Sequence, residues 1–483
     1  MRFPKNKRSL SFLLVSILIA AGFSGYAFAS RDRTAPTAPA ALKVAAAAST
    51  SISLVWNEAT DNVEVTEYYI YRDGAFIGKT VETSYTSTGT EAGKTYKFHV
   101  KARDAAGNLS AADNGIAVTT KQITVTPAAA TPKKVVGYFA AWAAYSGFTP
   151  DKLDVSKLTH INYSFANISS DYKIAMGYPD VDPANFNKLN ALKQINPALK
   201  TLISVGGWSW SGRFSDAALT DASRTAFADS CVDFIVKYGF DGIDIDWEYP
   251  VSGGLDTNIR RPEDKHNFTL LLKKLREKLD ARTLIDGKKY LLTIAGASGT
   301  WYIDNTELGA LHQYIDYANI MTYDIHGTWD AYTDFNAPLY NNTDNSGQYK
   351  WSVDQSVNAW LNTGLPASKL VMGVPFYGNK YNYGGKNNNG LYQSFSGGNS
   401  VSYATIASNY LNAAGYVRYF HQQSKVPWLF NGFTFISYDD AQSIGLKVQY
   451  AKDKNLGGAA IWELSQDPDR VLLTSLYNGL NKN

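Results

Sequence analysis

Apolar residues recur along this chain with two different rhythms. Over residues 34–120 they alternate with polar ones: Ile52, Leu54 and Trp56 in "SISLVW", then Tyr96, Phe98, Val100 and Ala102 in "TYKFHVKA", with a hairpin signal at Asp73-Gly74 in "YYIYRDGAFIG". Alternation with period two, cut by turn residues, predicts short strands buried on one face, so residues 34–120 are expected to form a small all-β sandwich. Residues 121–134, "KQITVTPAAATPKK", keep neither rhythm and are expected to be a semi-extended linker. From Val135 onward the apolar residues come in continuous runs: "VVGYFAAW", "LTHINYSFANI", "KTLISVGG", "DGIDIDWE", "YLLTIAGA", "DYANIMTYD", "KLVMGVPFYG" and "GGAAIWELS". Helical patterns separate them, such as Phe268, Leu271, Leu272, Leu275 and Leu279 on one face behind Pro262. Eight apolar strands alternating with amphipathic helices predict a parallel sheet covered on its outside, a (β/α)8 TIM barrel over residues 135–483. One interval is too long for a plain connection: residues 377–435 are rich in Gly, Asn and Tyr. A structureless loop of that length is improbable, so residues 379–435 are expected to form a small α+β insertion between strands seven and eight.

The N-terminus follows a third pattern. Arg2, Lys5, Lys7 and Arg8 precede an apolar run from Leu10 to about Ala21, and Ala27 and Ala29 complete an A-x-A cleavage site. Residues 1–29 are therefore expected to be a secretory signal, leaving a secreted, extracellular protein with no membrane span after cleavage. Its loss takes four cations, so the formal charge of +3 becomes −1. No basic stripe is left, and nucleic acid is not an expected partner. Cys231 is the single cysteine, which excludes an intramolecular disulfide framework. It recurs with Phe227, Phe234 and Ile235 at helical spacing ahead of Gly239, the pattern of a core residue rather than a nucleophile.

One run then demands a chemical explanation. "FDGIDIDWEYP" sets Asp241, Asp244, Asp246 and Glu248 among apolar neighbours. On a strand Asp244, Asp246 and Glu248 share one face and Ile243, Ile245 and Trp247 the other, with successive acids roughly 6 to 7 Å apart. Burial and like charge at that spacing both raise a carboxyl pKa, so at least one acid is expected to keep a proton near neutral pH. A general acid needs that proton, and barrel active sites lie at the C-terminal strand ends, where Glu248 falls. A solvated loop is disfavoured by the interleaved Ile and Trp, and a divalent-cation site by a spacing that lacks the Gly and the terminal Glu of an EF-hand.

The same run, "DGIDIDWEYP", resembles the D-x-x-D-x-D-x-E signature of glycoside hydrolase family 18, the chitinases. "SVGG" at residues 204–207 and "MTYD" at residues 321–324 resemble that family's S-x-G-G and M-x-Y-D. The likeness extends from Val135 to the C-terminus, and the long insertion is similar to a chitinase subgroup with a deepened cleft. Residues 34–120 resemble a fibronectin type III domain, with Trp56 in the core and Tyr96 as its tyrosine corner.

The resemblance implies roles. Glu248 would protonate the glycosidic oxygen, Asp246 would accept the acetamido N–H of the sugar, and Asp244 would share the proton. Tyr323 would hold the acetamido carbonyl. Asp241, Tyr138, Ser204 and Asp324 would support them, and Trp462, Trp208, Trp329, Phe165 and Met321 would contact sugar. Trp142, Trp210, Trp301 and Trp428 are further aromatic candidates. Asn379 follows "PFYG" where the family often has a substrate-contacting Arg. The obvious carboxylates crowd one strand, so the acetamido oxygen of the substrate itself would act as nucleophile, the substrate-assisted exception among retaining enzymes. Chitin or chitooligosaccharides are the implied partners, with no cofactor or metal, and a monomer is expected. A non-catalytic lectin on the same barrel and an endo-β-N-acetylglucosaminidase acting on other glycans are the alternatives; the presence of Glu248 argues against the first.

Overall fold

The computed structural model describes residues 32–48, 51–120, 132–344, 350–382 and 385–482. The expected signal segment and residues 121–131 of the expected linker lie outside the described residues. The chain divides into two compact units, Met1–Ala129 and Ala130–Asn483.

The first unit is a sandwich of two antiparallel sheets. One orders the strands Ala40–Ala47, Ser51–Asn57 and Ser84–Thr88; the other orders Ala75–Thr80, Val65–Arg72, Thr95–Asp104 and Ile116–Thr119. The alternating residues of the sequence meet between the sheets, where Ile52, Leu54, Phe98, Val100 and Ala102 are fully buried and Trp56 packs edge-on against Tyr68. Asp73 and Gly74 both have positive φ, the two-residue turn whose twist matches the strands it joins. The Tyr96 hydroxyl accepts the Glu91 backbone N–H at 2.8 Å, closing the expected tyrosine corner.

The second unit is built on eight parallel strands: β1 Lys134–Ala140, β2 His160–Ile168, β3 Lys200–Gly206, β4 Gly242–Asp246, β5 Leu291–Ala297, β6 Tyr317–Met321, β7 Leu370–Pro375 and β8 Gly458–Trp462. β1 pairs with both β2 and β8, so the sheet closes on itself. Outward residues of β4 join the core between barrel and helices: Trp247 stacks on Phe214 at 5.3 Å and meets Phe268 of the helix Asp264–Asp286 edge-on. Cys231 is fully buried in the same core on the helix Asp221–Tyr238, which Gly239 ends with φ 75°. Residues of the opposite face point into the barrel and carry the polar groups.

Three connections depart from a regular strand-helix alternation. Between β1 and β2 the chain makes only 3-10 turns, because Gly147 takes φ 76° and Pro150 re-starts the backbone before an α-helix can propagate. Between β5 and β6 there are only the helical turns Thr300–Asp304 and Leu308–Leu311. Between β7 and β8 stands a five-stranded antiparallel sheet, ordered Gly397–Ser402, Tyr377–Asn382, Thr434–Ser437, Val426–Phe430 and Val417–His421, with the helix Tyr403–Asn409. Its own core holds Phe335, Tyr381, Trp428 and Phe435.

Phe268 and Leu284 lie on one helix, the first fully buried and the second 89% exposed. Phe268→Ala should therefore cost the barrel about 3–5 kcal/mol in chemical denaturation, and Leu284→Ala within about 0.5 kcal/mol of nothing.

Candidate functional site

A cavity of about 670 Å³ opens where the barrel strands end, lined by Asp246, Glu248, Tyr323, Asp324 and Trp462 among others. Strand register explains the buried polar cluster beneath it. Asp244 of β4 sits level with Ser204 of β3 on one side and Thr293 of β5 on the other. Its Oδ2 accepts the Tyr138 and Ser204 hydroxyls, each at 2.8 Å, and its Oδ1 accepts the Thr293 hydroxyl at 2.5 Å. Asn319 of β6 donates to the Tyr138 oxygen at 3.1 Å, tying the group together. Burial raises the pKa of Asp244, while those hydroxyls pull in the other direction. A fully buried carboxylate is tolerable only with such donors on both oxygens.

Asp246, two residues on, has no such support. Its Oδ1 is buried without a hydrogen-bond partner. Burial pushes its pKa well up, and the Glu248 and Asp244 charges add to the rise. Glu248 lies just past β4, where the alternation persists: Trp247 turns out to the core and Glu248 in to the cavity. Its backbone N–H donates to Ser211 Oγ at 2.8 Å, and its carbonyl accepts Asn258 Nδ2 at 2.9 Å. Burial pushes its carboxyl up to about 7, with a hydrogen bond from Tyr249 opposing and the charge of Asp324 adding. The row thus keeps a proton near neutral pH, though for Glu248 burial leads and the reinforcing charge comes from Asp324 of the β6 loop rather than from its own strand.

Tyr323 lines the cavity as well. Burial and the charges of Asp246, Asp324, Glu248 and Asp244 hold it protonated, so it keeps a hydroxyl proton to donate at ordinary pH. Asp324 takes φ 53°; its backbone N–H donates to Asn336 Oδ1 at 2.9 Å, and its Oδ1 accepts the Tyr377 hydroxyl at 2.6 Å. Trp462, ending β8, stacks on Phe165 at 5.7 Å and packs against Tyr138 and Trp142, making a flat apolar base. Met321 also lines the cavity. Trp208 and Trp329 line it while 51% and 63% exposed, so neither is core packing. Trp142, Trp210 and Trp301 line it too. Trp428 does not: it stacks on Tyr419 inside the insertion sheet.

Several expectations need correction. Asp241 belongs to the opposite end of the barrel, where it pairs with Lys193 at 2.6 Å and Lys288 at 2.9 Å and accepts the Thr201 N–H. Seven residues at about 3.3 Å each separate it from Glu248 along the strand, too far to support the acid directly. Asn379 is buried and donates to the His326 carbonyl at 3.2 Å, and it is not part of the cavity lining. No residue of the insertion sheet lines the cavity, whose tryptophans come from the segments after β1, β3, β5 and β6 and from the end of β8. Thr293, Asn319, Tyr249, Tyr377 and Trp351 were not anticipated. A polar residue amid an apolar strand, Thr293 in "LLTIAGA" or Asn319 in "YANIM", was the available signal. Among the described residues, the one carboxylate group placed to share a cation is Asp32, Asp61 and Asp104 of the first unit, not part of this cavity.

A closed (β/α)8-type barrel with a buried row of acids at its C-terminal end defines a hydrolase of the glycosidase type. The profile of Glycosyl hydrolases family 18 matches residues 134–467, more than half of the chain, and the chain belongs to that family. The Fibronectin type III domain profile matches residues 37–119. Chitinase A1 of Niallia circulans is 44% identical over 413 residues, covering 73% of this chain and 59% of the relative. Endochitinase 1 of Metarhizium robertsii is 34% identical over 365 residues, covering 70% of this chain and 83% of the relative. Chitinase ChiA of Flavobacterium johnsoniae is matched over only 27% of its length, so the chain spans well under two thirds of two of these relatives. Among solved structures, a glycoside hydrolase family 18 N-acetylglucosaminidase from Paenibacillus barengoltzii superposes with TM-score 0.67 at 40% identity, covering 72% of this chain and all of that one. Chitinase ChiA74 from Bacillus thuringiensis gives TM-score 0.69 at 38% identity, covering 72% of this chain and 70% of that one.

The raised carboxyl of Glu248 carries a stability consequence independent of activity. Its folded pKa of about 7 exceeds the unfolded value of 4.5, so the folded state loses stability as pH rises from about 4.5 through 7. Glu248→Gln should be the more stable protein by about 1–3 kcal/mol at pH 8, with the difference closing below pH ~4.5, as read by denaturation at both pH values.

Proposed function

We propose that this chain is a secreted chitinase, cleaving β-1,4 linkages between N-acetylglucosamine units with retention of configuration. The observation that carries the reading is a buried Glu248, its carboxyl pushed up to about 7, in a tryptophan-lined cavity that Asp246, at the end of the strand leading to it, also lines. A retaining enzyme with a protein nucleophile places two carboxyls across the sugar at about 5–5.5 Å. Here the substrate supplies the nucleophile.

Glu248 gives its proton to the glycosidic oxygen as that bond breaks. The acetamido oxygen, oriented by the Tyr323 hydroxyl, closes on the anomeric carbon. Asp246 gives its own proton to Asp244, whose carboxylate the Tyr138, Ser204 and Thr293 hydroxyls had held until then, and the Asp246 carboxylate so formed accepts the acetamido N–H. Glu248, now a carboxylate, takes a proton from the water that opens the intermediate and is ready for the next cycle. Trp462 and Phe165 form the floor under that sugar, and Trp208 and Trp329 offer ring faces to its neighbours.

The chitinase names of the relatives support the substrate, and the A-x-A segment at the N-terminus supports secretion. Among the described residues no helix is long and apolar enough to cross a membrane. A second reading, release of single N-acetylglucosamine units, is favoured by the likeness to the Paenibacillus N-acetylglucosaminidase, and product length separates the two.

Glu248→Gln should lower kcat on N-acetylglucosamine hexamer by about 10²- to 10⁴-fold while still binding it. Cellohexaose, which has no acetamido group, should stay whole even with wild type. A variant of near-normal rate, or cleavage of cellohexaose, would refute the mechanism.

A further inference from the structure

The insertion sheet contributes nothing to the cavity walls, yet its first strand reaches the reacting groups by another route. Tyr377 opens the strand Tyr377–Asn382, is 6% exposed, and lies outside the cavity lining. Its ring meets that of Tyr323 edge-on at 6.2 Å, and its hydroxyl donates to Asp324 Oδ1 at 2.6 Å. The same sheet grips the rest of the loop after β6. Ser437 Oγ accepts the Asn336 N–H at 2.8 Å, Asn336 holds the Asp324 N–H through Oδ1, and Asn379 donates to the His326 carbonyl. Asp324 is therefore fixed at both its backbone and its carboxylate by groups that the insertion supplies or anchors.

We propose that Tyr377 is a positioning residue through which the insertion acts on the catalytic acid, its hydroxyl holding the Asp324 carboxyl in place in the cavity that Glu248 also lines. The inference rests on the glycosidase reading of this cavity and goes beyond it by giving the insertion a role other than that of a wall. Asp324 is buried, and burial raises its pKa; the Tyr377 hydroxyl is the group that opposes the rise. The Asp324 charge in turn reinforces the high pKa of Glu248. The other titratable groups facing Asp324 are Tyr249 after β4, Tyr323 of the β6 loop and Tyr381 of the insertion strand, phenols that stay neutral at ordinary pH. The charge that the acid meets from this side is thus that of Asp324.

The sign of the effect follows. Tyr377→Phe keeps the ring against Tyr323 and removes only the donor, so Asp324 becomes neutral more readily. Glu248 then loses a like charge nearby and releases its proton at lower pH. The basic limb of kcat/KM on N-acetylglucosamine hexamer should move down by at least about half a pH unit. At a pH above that limb kcat should fall by several fold, with KM changed less than about two-fold. Asp324→Asn should move the limb the same way, and adding Tyr377→Phe to it should move the limb no further, since the two substitutions act on one path.

An unmoved limb in Tyr377→Phe overturns the proposal. So does a raised KM with an unmoved limb, which makes Tyr377 a substrate contact, and so does a double variant whose shifts simply add. If Tyr377→Phe does not fold, Ser437→Ala, which loosens Asn336 from the sheet, gives a second reading: the limb should shift in the same direction but less, and an unshifted limb counts against the insertion's role. A wild type that leaves the hexamer whole sinks the functional reading itself; a wild type that cleaves it beside an unshifted Tyr377→Phe sinks only this inference.

Discussion

Everything at the mouth of this barrel depends on one electrostatic constraint: three carboxyls occupy alternate positions at the end of a single buried strand. Removing a carboxylate from water is costly unless donors replace the water. The protein meets that cost unevenly. Asp244, deepest, receives hydroxyls from the two strands beside it and from β1 across the barrel, whereas Asp246 has an oxygen with no donor at all. A gradient results along β4, from a buried carboxyl held by three hydroxyls at the bottom to carboxyls with less support and raised pKa at the top, and a proton donor at the top is what glycosidic cleavage uses. In the mechanism proposed above, this unpartnered oxygen of Asp246 takes the substrate N–H.

That gradient is a product of barrel register. Because parallel strands place Ser204, Asp244 and Thr293 at one level, a single layer of inward side chains becomes a hydrogen-bonded group without any loop being involved. The loops and the insertion act one level higher. They set Asp324 by a left-handed backbone, an Asn336 side chain and the Tyr377 hydroxyl, and they present the exposed rings of Trp208 and Trp329. The stable part of the site is thus built into the sheet, and the adjustable part hangs from segments outside it.

Much of this was legible in the sequence because strand and helix periods are short-range properties. The two-residue alternation of "DIDWE" separated acids from core residues correctly even past the end of β4, and eight apolar runs marked the eight barrel strands. What depends on register between distant segments was not legible. Thr293 and Asn319 become partners of Asp244 and Tyr138 only once β5 and β6 are in place, and Tyr377 becomes a partner of Asp324 only through the insertion. Asp241 was grouped with the acids by proximity in sequence, but a strand converts sequence proximity into distance, and it pairs with lysines at the other end. Among the described residues, segments after β1, β3, β5 and β6 wall the cavity and none of the insertion sheet does, which no periodicity announces.

The central claim is that the anomeric carbon is attacked twice, first by the substrate's own acetamido group and then by water, so that its configuration is retained. Time-resolved proton NMR of N-acetylglucosamine hexamer hydrolysis reads this directly, because the anomeric configuration of the first product appears before mutarotation. The account predicts that the new reducing ends appear first as the β anomer. Initial formation of the α anomer would mean direct displacement by water, and would contradict it.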